Sequence, residues 1–196
     1  MCSNPLNPQH LFLTGLKHCG KTTLGSMLAN RCGRLFFDLD ELLLQEASLD
    51  GYNSVRELYR TAGRKKFQEY EARAAENVCA QNSHPEVILS FGGGTIENPT
   101  ALETLQPAGS FIYLQVEEEV LFERIQRGGL PPFLIGTQPP QEMFHDLWVH
   151  RHQLYLSHAD LVVALPNQAV EENFKLLHSI KGTQLCRVAH SVRILR

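Results

Sequence analysis

The chain has 196 residues, 43% hydrophobic and 20% charged, and 18 Lys and Arg against 21 Asp and Glu give a net charge of −3. That composition supports an ordinary globular core without disulfides or a structural metal, and the length suits a single α/β domain rather than two. The near-neutral balance argues against a nucleic-acid or membrane surface, and no apolar run reaches the length of a membrane span.

The five cysteines, Cys2, Cys19, Cys32, Cys79 and Cys186, form no C-x-x-C pair. Neither a zinc site nor a disulfide framework is indicated, and reduced thiols in a cytoplasmic protein are expected. Met1–His10 is a polar, proline-containing lead-in without the cationic and apolar regions of a signal peptide. His145, His150 and His152 show no H-E-x-x-H pattern, so they receive no metal role.

Leu11–Thr14 reads as a first strand ending at a glycine, and Lys21–Cys32 as a helix stopped by Gly33. Arg34–Asp38 is a second strand, and Asp40–Glu46 a leucine-rich helix. Ser54 and Glu57 form an S-x-x-E capping box that opens another helix, followed by a longer helical stretch from about 65 to 80. Glu86–Phe91 is a strand running into Gly92–Gly94. Ser110–Val116 is the next strand and Glu118–Arg127 an amphipathic helix. Gly128–Pro140, rich in glycine and proline, is a loop suited to be a lid. Gln141–His158 is helical, Asp160–Leu165 closes the strand set, and Val170–Ile180 is a last helix. The basic segment Gly182–Arg196 is an extension beyond a core of about residues 10–180. Strands alternating with helices predict a parallel sheet covered on both faces.

The strongest local signal is Gly15-Leu16-Lys17-His18-Cys19-Gly20-Lys21-Thr22, followed by Thr23. It fits G-x-x-x-x-G-K-[ST] between a strand and a helix, the context in which such a loop wraps phosphate with its backbone N–H groups. The following helix adds its positive end. Lys21 supplies charge for the outer phosphates, and the Thr22 hydroxyl is placed for magnesium. The site is thus expected to take ATP with Mg2+. Next to it, Phe37-Asp38-Leu39-Asp40 puts two carboxylates at the end of a strand, where open parallel sheets bind their ligands. Strand alternation would turn both to one side. Asp38, closer to the sheet, takes the metal role, and Asp40 the hydroxyl of a substrate. Capping of the next helix is the competing use of these carboxylates.

Together these residues resemble the shikimate kinase family, small P-loop kinases of the nucleoside-monophosphate-kinase-like group. The resemblance covers roughly residues 10–180 and rests on five motifs in order: the phosphate loop, FDLDELLLQ, GRKKFQEYE at Gly63–Glu71, LSFGGGTI, and HRHQLY with Arg151 and Tyr155. It implies a three-layer α-β-α fold with a five-stranded parallel sheet in the order 2-3-1-4-5, and transfer of phosphate from ATP to shikimate. By that resemblance Lys21 contacts the transferred phosphate, and Thr22 and Asp38 serve magnesium. Asp40 holds and deprotonates the accepting hydroxyl, Gly92, Gly93 and Gly94 lie against the substrate ring, and Arg151 pairs with its carboxylate. Arg127 lies near adenine, and the enzyme is a monomer.

Two positions depart from the family pattern. Gln68 stands where an arginine would pair with the shikimate carboxylate, and Pro131 where the lid arginine would be. Arg64, one helical turn before Gln68 on the same face, is a candidate replacement. Three readings therefore stay open: shikimate phosphorylation, phosphorylation of a less anionic hydroxylated acceptor, and a nucleotide-binding module with little catalysis.

Overall fold

The computed structural model describes residues 10–80, 86–131, 134–179 and 193–195. The lead-in before His10, residues 81–85, Ile180, most of the C-terminal extension, and Pro132 and Phe133 of the lid segment lie outside the described residues. In chain order the elements are β1 (His10–Thr14), α1 (Lys21–Cys32), β2 (Leu35–Asp38), α2 (Leu39–Ser48), α3 (Val55–Ala80) and β3 (Val87–Ser90). A single 3-10 turn (Thr95–Glu97) leads to α4 (Pro99–Leu105), β4 (Gly109–Gln115), α5 (Glu118–Arg127), α6 (Pro140–His158), β5 (Leu161–Ala164), α7 (Val170–Ser179) and β6 (Arg193–Leu195).

The strands form one sheet in the order β2-β3-β1-β4-β5-β6, every pair parallel. The expected 2-3-1-4-5 order is therefore present, and a sixth strand extends it. Arg193–Leu195 pairs with Leu161–Val163, inside the segment read from sequence only as a basic extension. A three-residue strand is too short to announce itself by alternation.

Helices cover the sheet. α1 packs on β2 and β3 and against α7, α6 packs on β4 and against α5, and α2, α3 and α4 pack in series. The centre is aromatic: Phe12, Phe91 and Phe111 are at most 2% exposed, with ring centroids 5.4–5.5 Å apart. Burying each such ring contributes roughly 1.5–3 kcal/mol, and each favourable ring pair about 0.5–1.5 kcal/mol more.

Two local features shape the site's surroundings. α3 is two helices joined at Gly63, whose φ of 78° and ψ of 174° break the helical run. The two helical stretches read from sequence thus meet without a loop between them. Upstream, the Ser54 Oγ accepts from the Glu57 N–H at 3.1 Å, and the Glu57 carboxylate accepts from the Asn53 N–H at 3.0 Å. The cap forms, with its reciprocal bond one residue earlier than the standard box. α4 has no counterpart in the sequence reading, although Asn98-Pro99 carries its start signal. The Asn98 side chain accepts from the Ala101 N–H, and Pro99 fills the first helical position.

The sheet register brings the functional loops together. Leu13 of β1 and Asp38 of β2 both align with Ser90 of β3. The loop after Thr14, the residues after Asp38 and the glycines after Phe91 consequently leave the sheet side by side.

Candidate active site

The segment 15–20 joins β1 to α1 as a tight loop. His18 (φ 67°) and Gly20 (φ 98°) both turn left-handed, the kind of backbone that collects successive N–H groups into an anion-binding concavity. The Lys21 side chain folds back across this loop. Its Nζ donates to the carbonyls of Gly15 (2.9 Å) and Leu16 (3.0 Å), and Cys19 Sγ lies 3.8 Å away. The ammonium is thereby held at the start of α1, while Thr22 and Thr23 stay exposed.

Asp38 ties the loop to the second strand. Its Oδ2 accepts from the Thr22 hydroxyl at 2.7 Å, and its Oδ1 accepts from the Asp40 N–H at 3.0 Å. Asp38 is thus the N-cap of α2, and Asp40 sits in the first helical turn. This corrects the expectation from strand alternation. β2 ends at Asp38, and a capped helix turn, not a continuing strand, brings Asp40 to the site. Capping and placement beside Thr22 are here one arrangement, with a separate Asp38 oxygen serving each. Thr22 Oγ1 and Asp38 Oδ2 form an all-oxygen pair of the kind that suits magnesium. Among the described residues no group of three or more His, Cys, Asp or Glu could hold a metal, and magnesium in kinase sites takes most of its ligands from water and phosphate.

Asp40 is largely withdrawn from solvent. Burial, reinforced by the negative charge of Asp38, raises its pKa above the ordinary carboxylate value, with Lys21 and Lys17 opposing. Its carboxylate lies against Gly92: a Cβ placed there would be 2.5 Å from Asp40 Oδ1. One cleft is lined by Lys17, His18, Gly20, Lys21, Thr22 and Thr23 on the nucleotide side, and by Asp38, Asp40, Phe91 and Gly93 on the other.

The glycine segment is held from behind. Tyr155 Oη donates to the Gly93 carbonyl at 2.7 Å. Glu71, 1% exposed, accepts from Thr95 Oγ1 (2.6 Å) and Asn98 Nδ2 (2.8 Å), which pins the 3-10 turn after the glycines. Burial raises the Glu71 pKa, against the lowering effect of these two hydrogen bonds.

The comparisons agree with one another. The family model described as shikimate kinase matches residues 17–180. The chain belongs to the shikimate kinase family. A shikimate kinase of Chlamydia pneumoniae is 34% identical over 68% of this chain and 75% of its own. One from a Psychrobacter species is 33% identical over 78% and 81% respectively. The solved shikimate kinase of Acinetobacter baumannii, in complex with shikimate, superposes with a TM-score of 0.76 at 25% identity, covering 90% of this chain and 95% of that one. As a member of this family the protein is an ATP-dependent kinase acting on a hydroxyl acceptor.

Within this shikimate kinase family member, the residues expected at the site from sequence are mostly gathered in one cleft. Three of them, Arg127, Gln68 and Arg151, have partners within the protein that the sequence did not announce. Arg127 is 78% exposed at its side chain and pairs with Glu123 one turn back, at 3.3 Å. Arg124 reaches the phosphate loop instead, donating to the His18 carbonyl at 3.0 Å and to Asn167 Oδ1 at 3.3 Å. A three-residue step along α5 turns a side chain to a nearby face, and the basic pair in RIQR gives no sign of which member faces the loop. Gln68 donates to the backbone carbonyl of Glu97 at 3.0 Å. Glu97 itself, absent from the sequence reading, takes both arms of Arg151.

Proposed function

We propose that the protein transfers the γ-phosphate of ATP to a hydroxyl of shikimate, giving shikimate 3-phosphate and ADP. The observation that carries this reading is the Asp40 carboxylate, packed against Gly92 in the same cleft as Lys21 and the Thr22–Asp38 pair. In the transfer, the acceptor O–H bond breaks and its proton goes to Asp40. The acceptor oxygen bonds to the γ-phosphorus, and the bond from that phosphorus to the β,γ-bridging oxygen breaks. Asp40 suits this task because its raised pKa makes it a better base than an exposed carboxylate.

The loop amides and Lys21 bind and orient the phosphates, leaving little for covalent chemistry to do. Thr22 and Asp38 would hold Mg2+, which would supply charge neutralisation for the phosphates. Gly92, Gly93 and Gly94 form the wall against the acceptor ring, with Arg151 and Gln68 at its carboxylate end. The enzyme is read as a cytoplasmic monomer working on small molecules, without nucleic-acid or membrane partners. In support, its net charge is −3, and no helix among the described residues is long and apolar enough to cross a membrane.

A coupled ADP-release assay with MgATP and shikimate tests the reading. Saturable, shikimate-dependent ADP release is expected. Nucleotide binding without any acceptor-dependent turnover at millimolar shikimate would leave only a nucleotide-binding module.

A further inference from the structure

Beyond the phosphate cradle, three side chains converge on one carboxylate. Arg151 Nε and Nη2 donate to Glu97 Oε1 and Oε2 at 3.1 and 3.2 Å, a bidentate pairing. Arg64 Nη2 reaches the same Oε2 at 3.2 Å, and His150 Nε2 lies 3.5 Å from Oε1. The Arg151 guanidinium borders the glycine wall, because a Cβ on Gly94 would stand 3.4 Å from its Nη2. Burial pushes the Glu97 pKa up. The hydrogen bond and charge of Arg151, aided by Arg64 and His150, outweigh that and hold it below the ordinary value, so Glu97 is ionised at neutral pH.

A guanidinium offers this face of its fork to one planar carboxylate at a time. We propose that Glu97 is a specificity-determining residue that occupies the Arg151 fork, so that an acceptor carboxylate binds there only by displacing it. The inference rests on shikimate being the acceptor. Arg64 and His150 are the partners that receive the displaced side chain. Both are mostly exposed, and both line an open groove with Ile96, Pro99 and Leu102 on that side of Glu97. Exchange of one carboxylate for another keeps the number of Arg151 hydrogen bonds unchanged and brings two like charges close. The acceptor's carboxylate therefore adds little net affinity, and Gln68, committed to the Glu97 backbone, supplies no charge to offset this.

The test compares the wild type with Glu97→Gln by calorimetry in MgADP, using shikimate and its uncharged methyl ester. Glutamine keeps the volume and the backbone carbonyl that Gln68 uses. The variant is expected to bind shikimate about tenfold more tightly than the wild type, with ester binding unchanged. Glu97→Asp, too short to span the fork, should move shikimate affinity the same way, and it decides the matter if Glu97→Gln fails to bind MgADP. Equal or weaker shikimate binding in the variants, or an equal gain for the ester, overturns the inference and leaves the proposed activity standing. Absence of shikimate binding to wild type and variants alike overturns the proposed activity, and the inference with it.

Discussion

Gly92→Ala perturbs the site by one methyl group. The Gly92 backbone accepts alanine, since its φ is not in the positive range, so the effect is steric. The new Cβ would stand 2.5 Å from Asp40 Oδ1 and 3.2 Å from Thr95 Oγ1. Real Cβ contacts essentially never fall under 3.0 Å and are rarely under 3.4 Å, so Asp40 or the glycine wall must move by about 0.5–0.9 Å. Thr95 yields little, because Glu71 holds it at 2.6 Å. Asp40 is constrained by its N–H bond to Asp38. A misplacement of about 1 Å at a reacting centre can cost roughly 100-fold. We therefore expect kcat with shikimate to fall about 10- to 100-fold, or about 1.4–2.7 kcal/mol in the barrier. MgATP affinity, set by the loop on the other side of the cleft, should stay within about twofold. ADP-release kinetics and nucleotide calorimetry on the same preparation separate the two effects. A variant that keeps wild-type kcat would refute the tight contact between Asp40 and Gly92, and an equal loss of MgATP binding would refute its confinement to the acceptor side.

Other outcomes follow from the same geometry. Lys21→Met keeps the side chain's bulk but removes its charge and its bonds to Gly15 and Leu16. Turnover should drop by roughly 100-fold or more, and unchanged turnover would remove Lys21 from the mechanism. Asp40 must be ionised to accept the hydroxyl proton, and burial raises its pKa. Activity should therefore be lost as pH falls through a value above the ordinary 3.8, and an acid limb at 3.8 itself would contradict the burial. Asp40→Asn should leave nucleotide binding intact and abolish that limb along with nearly all turnover. Glu71→Ala strands Thr95 Oγ1 in the interior and leaves Asn98 Nδ2 with the Gln68 carbonyl as its acceptor. Stability should fall by about 1–3 kcal/mol, measured by urea unfolding, and a loss below about 0.5 kcal/mol would show the network to be dispensable.

The place of the glycine-rich loop between a strand and a helix was legible in the sequence, because such a loop needs glycine, lysine and threonine at fixed spacing. α1 appears with the bounds read for it, Lys21–Cys32, and the helix Glu118–Arg127 does as well. The pairing of Asp38 with Thr22 was approached through the wrong local geometry. D-x-D reads equally as alternation on a strand or as a cap and first helical turn, and only the end of β2 decides between them. The acceptor side was harder to read. Glu97 is one carboxylate in a stretch without periodicity, and its importance comes from Arg64 and Arg151, distant in sequence and delivered by two other helices. Glu71 lay within a noted motif, but its burial depends on Thr95 and Asn98 arriving from beyond β3. Arg124 and Arg127 differ only in helical phase, which composition does not reveal.

The position of β1 in the sheet bears on how the protein is made. Leu11 is hydrogen-bonded on one side to the strand containing Ile88, and on the other to the strand containing Ser110. A growing chain produces β1 first, yet neither flank exists until residues near 90 and then near 115 have emerged. Contacts so remote in sequence form slowly, because loop closure comes before the gain in pairing. During synthesis the apolar segment His10–Thr14 therefore waits unpaired, and ATP has no formed seat to bind until more than half of the protein has left the ribosome.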